Sequence, residues 1–164
     1  MTLEDQFAFP QRGRVCWLGV RPARRAAVQV VDAVEARVGE GLVGDHYRAR
    51  KGDREVTLIQ AEHLALLAAL LGRDAAVDPA LLRRNILVAG INLLGLKRRT
   101  FQIGTAILEY TGLADPCSRM EEALGPGGWN AMCGHGGITA RVLRGGVIRL
   151  QDAVVYLGNS DPLP

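Results

Sequence analysis

The segment FQIGTAILEY, residues 101–110, decides how the rest of the chain is read. Two short apolar runs, 101–103 and 106–110, flank Gly104-Thr105. A glycine in the first central position of a two-residue loop suits a type II′ turn, whose backbone twist matches that of paired antiparallel strands. The segment therefore predicts a β-hairpin. Working outward, residues 14–20 (RVCWLGV), 55–60 (EVTLIQ), 85–89 (NILVA) and 153–157 read as further strands. A second hairpin is expected to join 139–144 with 147–150 through Gly145-Gly146. Residues 27–38 (AVQVVDAVEARV) are ambiguous. Val28, Val30 and Val34 suit a strand while the alanines and glutamates suit a helix, and the β-branched residues favour strand for the first half. GEGLVGDHY, from Gly39, reads as a turn-rich loop.

Helical signals are few. Residues 61–71 place Leu64, Leu67 and Leu71 on one face, and Gly72 follows as a stop. Pro79 opens a short helical turn through Arg83. About seven short strands without regular alternation of strand and helix disfavour a doubly wound parallel sheet. A mainly β fold is expected, a closed or nearly closed β-barrel with a few short inserted helices.

The chain of 164 residues fits one domain, spanning 1–164. A chain of this length buries roughly 70% of its unfolded surface and needs no staples to build a core. Hydrophobic content of 48% and charged content of 23% are ordinary for a globular domain. No apolar run approaches the roughly 20 residues that cross a bilayer, so no membrane partner is expected. The N-terminal MTLEDQFAFPQRGR has early acids and no apolar stretch of the signal-peptide kind, which points to the cytoplasm.

The net charge is +3, and among the basic residues only Lys51 and Lys97 are lysines. Arginine presents a planar fork of donors that suits phosphate and other oxyanions. The arginines are scattered in pairs (Arg24-Arg25, Arg83-Arg84, Arg98-Arg99), and the 5% aromatic content leaves little for base stacking, so nucleic acid is not an expected partner. GxSxG, HExxH and the phosphate-binding GxxxxGK[ST] are missing, which leaves the common hydrolase and nucleotide routes unsupported.

Cys16, Cys117 and Cys133 match neither a disulfide framework nor a paired CxxC zinc site. Cys133-Gly134-His135 supplies at most half of a metal site. Cys16 lies inside a predicted strand and reads as a small core residue. Cys117 is different, because ADPCSRMEE joins a strand end to a helix start. Ser118 with Glu121 forms a capping-box pattern; alternatively Asp115 caps and Pro116 takes the first helical position. Either choice sets Cys117 at a helix N-terminus, whose partial positive charge favours an anion, and Arg119 adds a full charge nearby. These surroundings favour a thiolate, the nucleophilic and metal-binding form of cysteine.

Other candidates are softer. The glycines of GPGG (125–128) and GHGG (134–137) could present backbone N–H groups to an anion, although such stretches more often make turns. Asp45-His46 reads chiefly as turn chemistry. Asn85 opens a predicted buried strand, where its amide must find partners in the fold or on a ligand. Arg54 and Arg84 each border a strand end, where side chains converge.

The ordered set GLVGDHY, REVTLIQAEHL, RRNILVAGINL, FQIGTAILEYTG with DPCSRM, and GGITARVLRGGVIRLQD resembles the MOSC domain, the C-terminal domain of molybdenum cofactor sulfurase, over about residues 13–155. The resemblance implies a β-barrel similar to the barrel domain of pyruvate kinase. It assigns the hallmark cysteine to Cys117. In sulfurases that residue is proposed to carry sulfur as a persulfide; in reductase members it ligates the molybdenum of a molybdenum–pterin cofactor, and those enzymes reduce N-hydroxylated compounds. The same resemblance sets Arg54, Arg84, Asn85, Arg119 and Arg141 among cofactor-binding residues. It implies a cysteine desulfurase or a separate electron-transfer protein as partner, with pyridoxal phosphate confined to the desulfurase. A non-catalytic barrel that binds a small anion or a protein is the remaining alternative. Gln151 stands where the family usually has glycine, so a changed turn is expected there, and any role of Cys133 and His135 belongs to this chain alone.

Overall fold

The computed structural model describes residues 8–46 and 52–160. The hairpin of FQIGTAILEY forms as expected: β7 (Arg99–Ile103) pairs antiparallel with β8 (Ala106–Leu113), and Ile103 faces Ala106 across Gly104-Thr105. Gly104 has φ 57°, whereas Thr105 keeps an ordinary negative φ, the combination that a glycine-first turn requires.

The remaining long strands close on this hairpin. They are β1 (Arg12–Val20), β5 (Val56–Gln60), β6 (Ile86–Ala89), β9 (Ile138–Arg144) and β11 (Ala153–Asn159). Hydrogen bonding runs β11-β7-β8-β9-β5-β6-β1, and β1 pairs back onto β11, which closes a seven-stranded barrel. All pairings are antiparallel except β5 with β6. The interior is filled by alternate residues of these strands, among them Val15, Leu58, Ile86, Phe101, Leu108 and Ala140, each fully buried. Closure pairs each of these seven strands on both sides.

Residues 27–38 form no helix. They split into β2 (Gln29–Val31), which extends the barrel beside β1, and β3 (Ala33–Arg37). The expected hairpin through Gly145-Gly146 is corrected. β10 (Gly146–Arg149) leaves β9 and pairs with β3, which also pairs with β4 (Gly41–Leu42) in a separate three-stranded sheet. A glycine pair fits a turn of any kind, and the partner of β10 is fixed by Val34 and Ile148, which bury together in the main core. The spacing Gly39-x-Gly41-x-x-Gly44 matches a dinucleotide fingerprint in letters only, because it leads from β3 into β4 and among the described residues no helix opens at Gly44.

A parallel pair needs a crossover, and the chain from β5 to β6 supplies it with α1 (Glu62–Leu70) and a 3-10 turn over Pro79–Leu82. Leu64 and Leu67 of α1 bury against Ile59 and Leu87, which point outward from β5 and β6. The same outer layer receives Met120 and Leu124 of α2 (Ser118–Leu124) and Ala131 and Met132 of α3 (Gly128–Met132). Among the described residues no helix is long and apolar enough to cross a membrane.

Gln151 occupies a left-handed backbone position, φ 70°, between β10 and β11, and its N–H donates to the Val15 carbonyl at 2.9 Å. Glycine is the residue that tolerates this conformation at no steric cost, which is why the expected family glycine stood out here. Gln151→Gly is expected to stabilise the fold by about 0.5–1 kcal/mol, a rise of roughly 1–4 °C in melting temperature. Scanning calorimetry of the two proteins checks it; an unchanged or lower midpoint removes the strain argument.

Candidate functional site

Cys117 is the residue before the first turn of α2, in extended backbone (φ −118°, ψ 175°), and its side chain is exposed. Neither expected capping arrangement forms. Cys117 itself holds the cap position with no side-chain hydrogen bond, and Ser118 is already helical. Glu121 does not reach back to α2; its carboxylate accepts the Gly127 and Trp129 N–H groups, each at 2.8 Å, and so caps α3. Those bonds hold the Glu121 carboxyl below its ordinary range. The Gly127 bond uses one N–H of the GPGG stretch, and the Gly125 and Gly128 N–H groups donate to the Glu121 and Gly125 carbonyls, each at 2.9 Å, so the stretch is spent on the fold.

The sulfur opens onto a cavity of about 580 Å³. Its walls carry Arg21, Arg24, Arg54, Arg83, Arg84 and Arg119. Asp115 and His46 join them. Sequence reasoning therefore brought Cys117, Arg54, Arg84 and Arg119 to one place. It missed Arg21, Arg24 and Arg83, whose pairing with a second arginine or a proline was the available signal, and it read His46 only as part of a turn.

Arg84 is 7% exposed and fully engaged with backbone. Nε donates to the Gly136 carbonyl at 2.8 Å, Nη1 to Leu82 at 3.0 Å and Nη2 to Ala114 at 2.8 Å. One guanidinium thus ties the end of the 3-10 turn, the cysteine loop and the glycine-rich 134–137 loop. Burial lowers its pKa to about 10, helped by repulsion from Arg54 and Arg21 and opposed by Cys117 and Asp115, so it remains a cation at neutral pH. GHGG serves this clamp. Gly136 and Gly137 lie against the Ala114 and Leu58 carbonyls so closely that a Cβ would collide, and the Gly137 carbonyl accepts the Ala114 N–H at 2.9 Å.

Asn85, 1% exposed, lies beneath the cavity with its amide spent on the protein. Oδ1 accepts from the Thr57 N–H and hydroxyl, each at 3.0 Å, and Nδ2 donates to the Gly19 carbonyl at 3.2 Å. It joins β1 to the starts of β5 and β6, while Thr57 is the residue that lines the cavity. Arg141 is not brought to Cys117. It lies in mid β9 and pairs with Glu109 on β8 at 2.6 Å. Asn85→Ala strips the Thr57 N–H and the Gly19 carbonyl of their partner and leaves the Thr57 hydroxyl only the Asn85 backbone N–H, and is expected to cost about 3 kcal/mol. Urea unfolding measures it, and a loss under about 1 kcal/mol would show that the amide is not structural.

Asp45 and His46 both engage Arg21. The Asp45 carboxylate accepts the Arg21 backbone N–H at 2.7 Å and holds its guanidinium at 3.4 Å. His46 Nδ1 sits 3.3 Å from the Arg21 carbonyl. Arg83 is the C-cap of the 3-10 turn with φ 56°. Its Nη1 donates to the Ala26 carbonyl at 3.4 Å, and its buried Nη2 has no partner among the described residues. Burial first, then repulsion from Arg21 and Arg119, pushes its pKa down. A buried unpaired donor of a cationic group is costly, and an anion is its natural complement.

Cys133 and His135 lie outside this cavity. Cys133 Sγ donates to the Trp129 carbonyl at 3.4 Å, and His135 meets His63 of α1 edge-on, ring centroids 5.2 Å apart. Among the described residues no three His, Cys, Asp or Glu side chains converge to hold a metal by themselves. Burial, then the His135 charge, depresses the His63 pKa. Depression in the folded state means stability that is complete above the unfolded histidine range near 6.5 and is lost as pH falls below it. Unfolding midpoints at pH 7.5 and 5.5 are expected to differ less for His63→Phe than for the parent; equal differences would remove His63 from the acid response.

The comparisons agree with this architecture. YuaD from Bacillus subtilis superposes with a TM-score of 0.75 at 19% identity, covering 90% of this chain and 97% of that one. YiiM from Geobacillus stearothermophilus gives 0.69 at 20% identity, covering 88% and 75%, and YiiM from Escherichia coli gives 0.71 at 18%, covering 92% and 72%. At these identities the likeness speaks for the fold. Comparison with curated protein sequences returns no match. The family model described as MOSC domain matches residues 35–155, and the chain therefore belongs to the MOSC domain family.

Proposed function

We propose that this MOSC domain holds a molybdenum–pterin cofactor, with the Cys117 thiolate as the protein ligand of the metal, and serves the reduction of N-hydroxylated compounds. The observation that carries this reading is an exposed cysteine sulfur sharing a cavity with six arginines, one of which has a buried, unpartnered Nη2. The residues fit the group. A thiolate is a soft ligand suited to such a metal. Arginine forks suit the phosphate of its pterin. The metal's other ligands would come from the cofactor, since no protein cluster is present among the described residues to supply them.

In this reading each side chain has a task. Arg84 holds the cysteine loop through the Ala114 carbonyl, so the sulfur keeps its position. Arg83 and Arg119 offer free donor capacity to an oxyanion beside Cys117. Asp45 keeps Arg21 oriented. When bound, the cofactor would supply an open metal position for oxygen-atom abstraction, with electrons arriving from a separate protein.

The exposure of Cys117, with no hydrogen bond to its sulfur among those described, also suits a second reading, a sulfur carrier. Here the Cys117 thiolate attacks the outer sulfur of a cysteine desulfurase persulfide, gains one sulfur, and releases the partner's thiolate; pyridoxal phosphate stays on that partner.

Protein made in a cofactor-competent host is expected to carry molybdenum and pterin, and Cys117→Ser to lose at least tenfold of both. Metal and pterin analysis with intact mass reads this. A Cys117→Ser protein that keeps its metal would falsify the ligand assignment, and a one-sulfur mass gain on Cys117 after incubation with a desulfurase would move the conclusion to the carrier.

A further inference from the structure

Arg83 and Arg119 line two cavities at once. Beyond them, away from Cys117, lies a second cavity of about 500 Å³ over Ala27, Val28, Ala80, Leu81 and Ala123. That volume is within the range of small-molecule pockets, and an apolar surface with a few convergent polar groups is the composition such pockets have. Its charges are Arg25, Arg83, Arg119 and Glu122, an excess of cations. The unpartnered Nη2 belongs to Arg83, one of the two residues common to both cavities.

An inorganic oxyanion would satisfy the arginines and leave the apolar cavity wet. A molecule with an oxyanion head and a hydrocarbon body would satisfy both. We propose that the apolar cavity receives the hydrocarbon body of a small anionic substrate whose oxyanion head lies between Arg83 and Arg119, on the Cys117 side. This rests on the functional reading above and adds the substrate class: an amphiphilic anion.

Alkylsulfonates from methyl to hexyl, titrated calorimetrically into the full chain, test it. Affinity is expected to rise about fourfold per methylene until the cavity is filled. Leu81→Trp, at a position 39% exposed and so able to change without disturbing the core, is expected to abolish that rise while methylsulfonate binding stays within twofold. Ala123→Phe fills the cavity from α2 and repeats the test should Leu81→Trp fold poorly. Arg83→Gln is expected to weaken every member at least tenfold with the chain-length trend intact. A flat series in the parent, or an unaltered trend in a folded cavity-filling variant, overturns the proposal. A flat series in protein that carries molybdenum removes the apolar cavity alone, whereas a Cys117→Ser protein that keeps its metal removes the ligand assignment and leaves the chain-length trend standing.

Discussion

The structure around Cys117 depends on one buried cation. Arg84 brings a full charge into a site 7% exposed, at a cost of several kcal/mol by the usual reckoning for a desolvated ion. Among the described residues no carboxylate is bonded to it. Its donors go instead to three carbonyls from three segments, Leu82, Ala114 and Gly136. Carbonyl dipoles solvate the guanidinium without neutralising it, so its positive field persists into the cavity. The same group is both the knot that holds the cysteine loop and a permanent part of the site's electrostatics.

That choice explains the neighbours. Burial first, and then repulsion of Arg84 by Arg54 and Arg21 and of Arg83 by Arg21 and Arg119, makes both groups hold their protons less tightly than an ordinary arginine. Among the described residues the acid lining the cavity is Asp115, and Asp45 reaches the cluster through Arg21. The cations therefore outnumber the acids that could balance them within the protein. An arrangement of this kind is strained when empty of anions and relaxed when one enters, and binding energy gained by relieving repulsion is available to hold a ligand beside a reactive sulfur.

Much of this was legible in the residues. Alternation in EVTLIQ and the apolar run of NILVA indicated strands, Gly104-Thr105 indicated the hairpin, and the seam ADPCSRM pointed to Cys117. The illegible parts share a physical cause. β10 contains nothing that distinguishes β9 from β3 as its partner, because pairing of a short strand is settled by which core its Ile148 enters. The helix cap was misread because Ser118 and Glu121 satisfy the capping-box pattern, yet Glu121 finds two N–H donors on the next helix. Arg84 and Arg141 look alike as letters. One follows a left-handed residue into a buried crossing of loops, and the other sits mid-strand opposite Glu109, where a cross-strand ion pair takes it.

Topology says why the arginines meet at all. β5 and β6 are parallel, and β1 runs antiparallel to β6, so the chain leaves β1 on the same side where it enters β5 and β6. Arg21 follows β1, Arg54 precedes β5, and Arg83 and Arg84 precede β6. Residues 63 positions apart along the chain are thereby gathered at one end of the barrel, from Arg21 to Arg84. Were β5 antiparallel to β6, Arg54 would lie at the opposite end from Arg21, Arg83 and Arg84. The parallel pair also forces the crossover whose 3-10 turn presents Arg83 and Leu81 side by side with Arg119 of α2. The single departure from antiparallel order thus builds the anion-attracting end of the barrel and the apolar cavity beside it in one stroke.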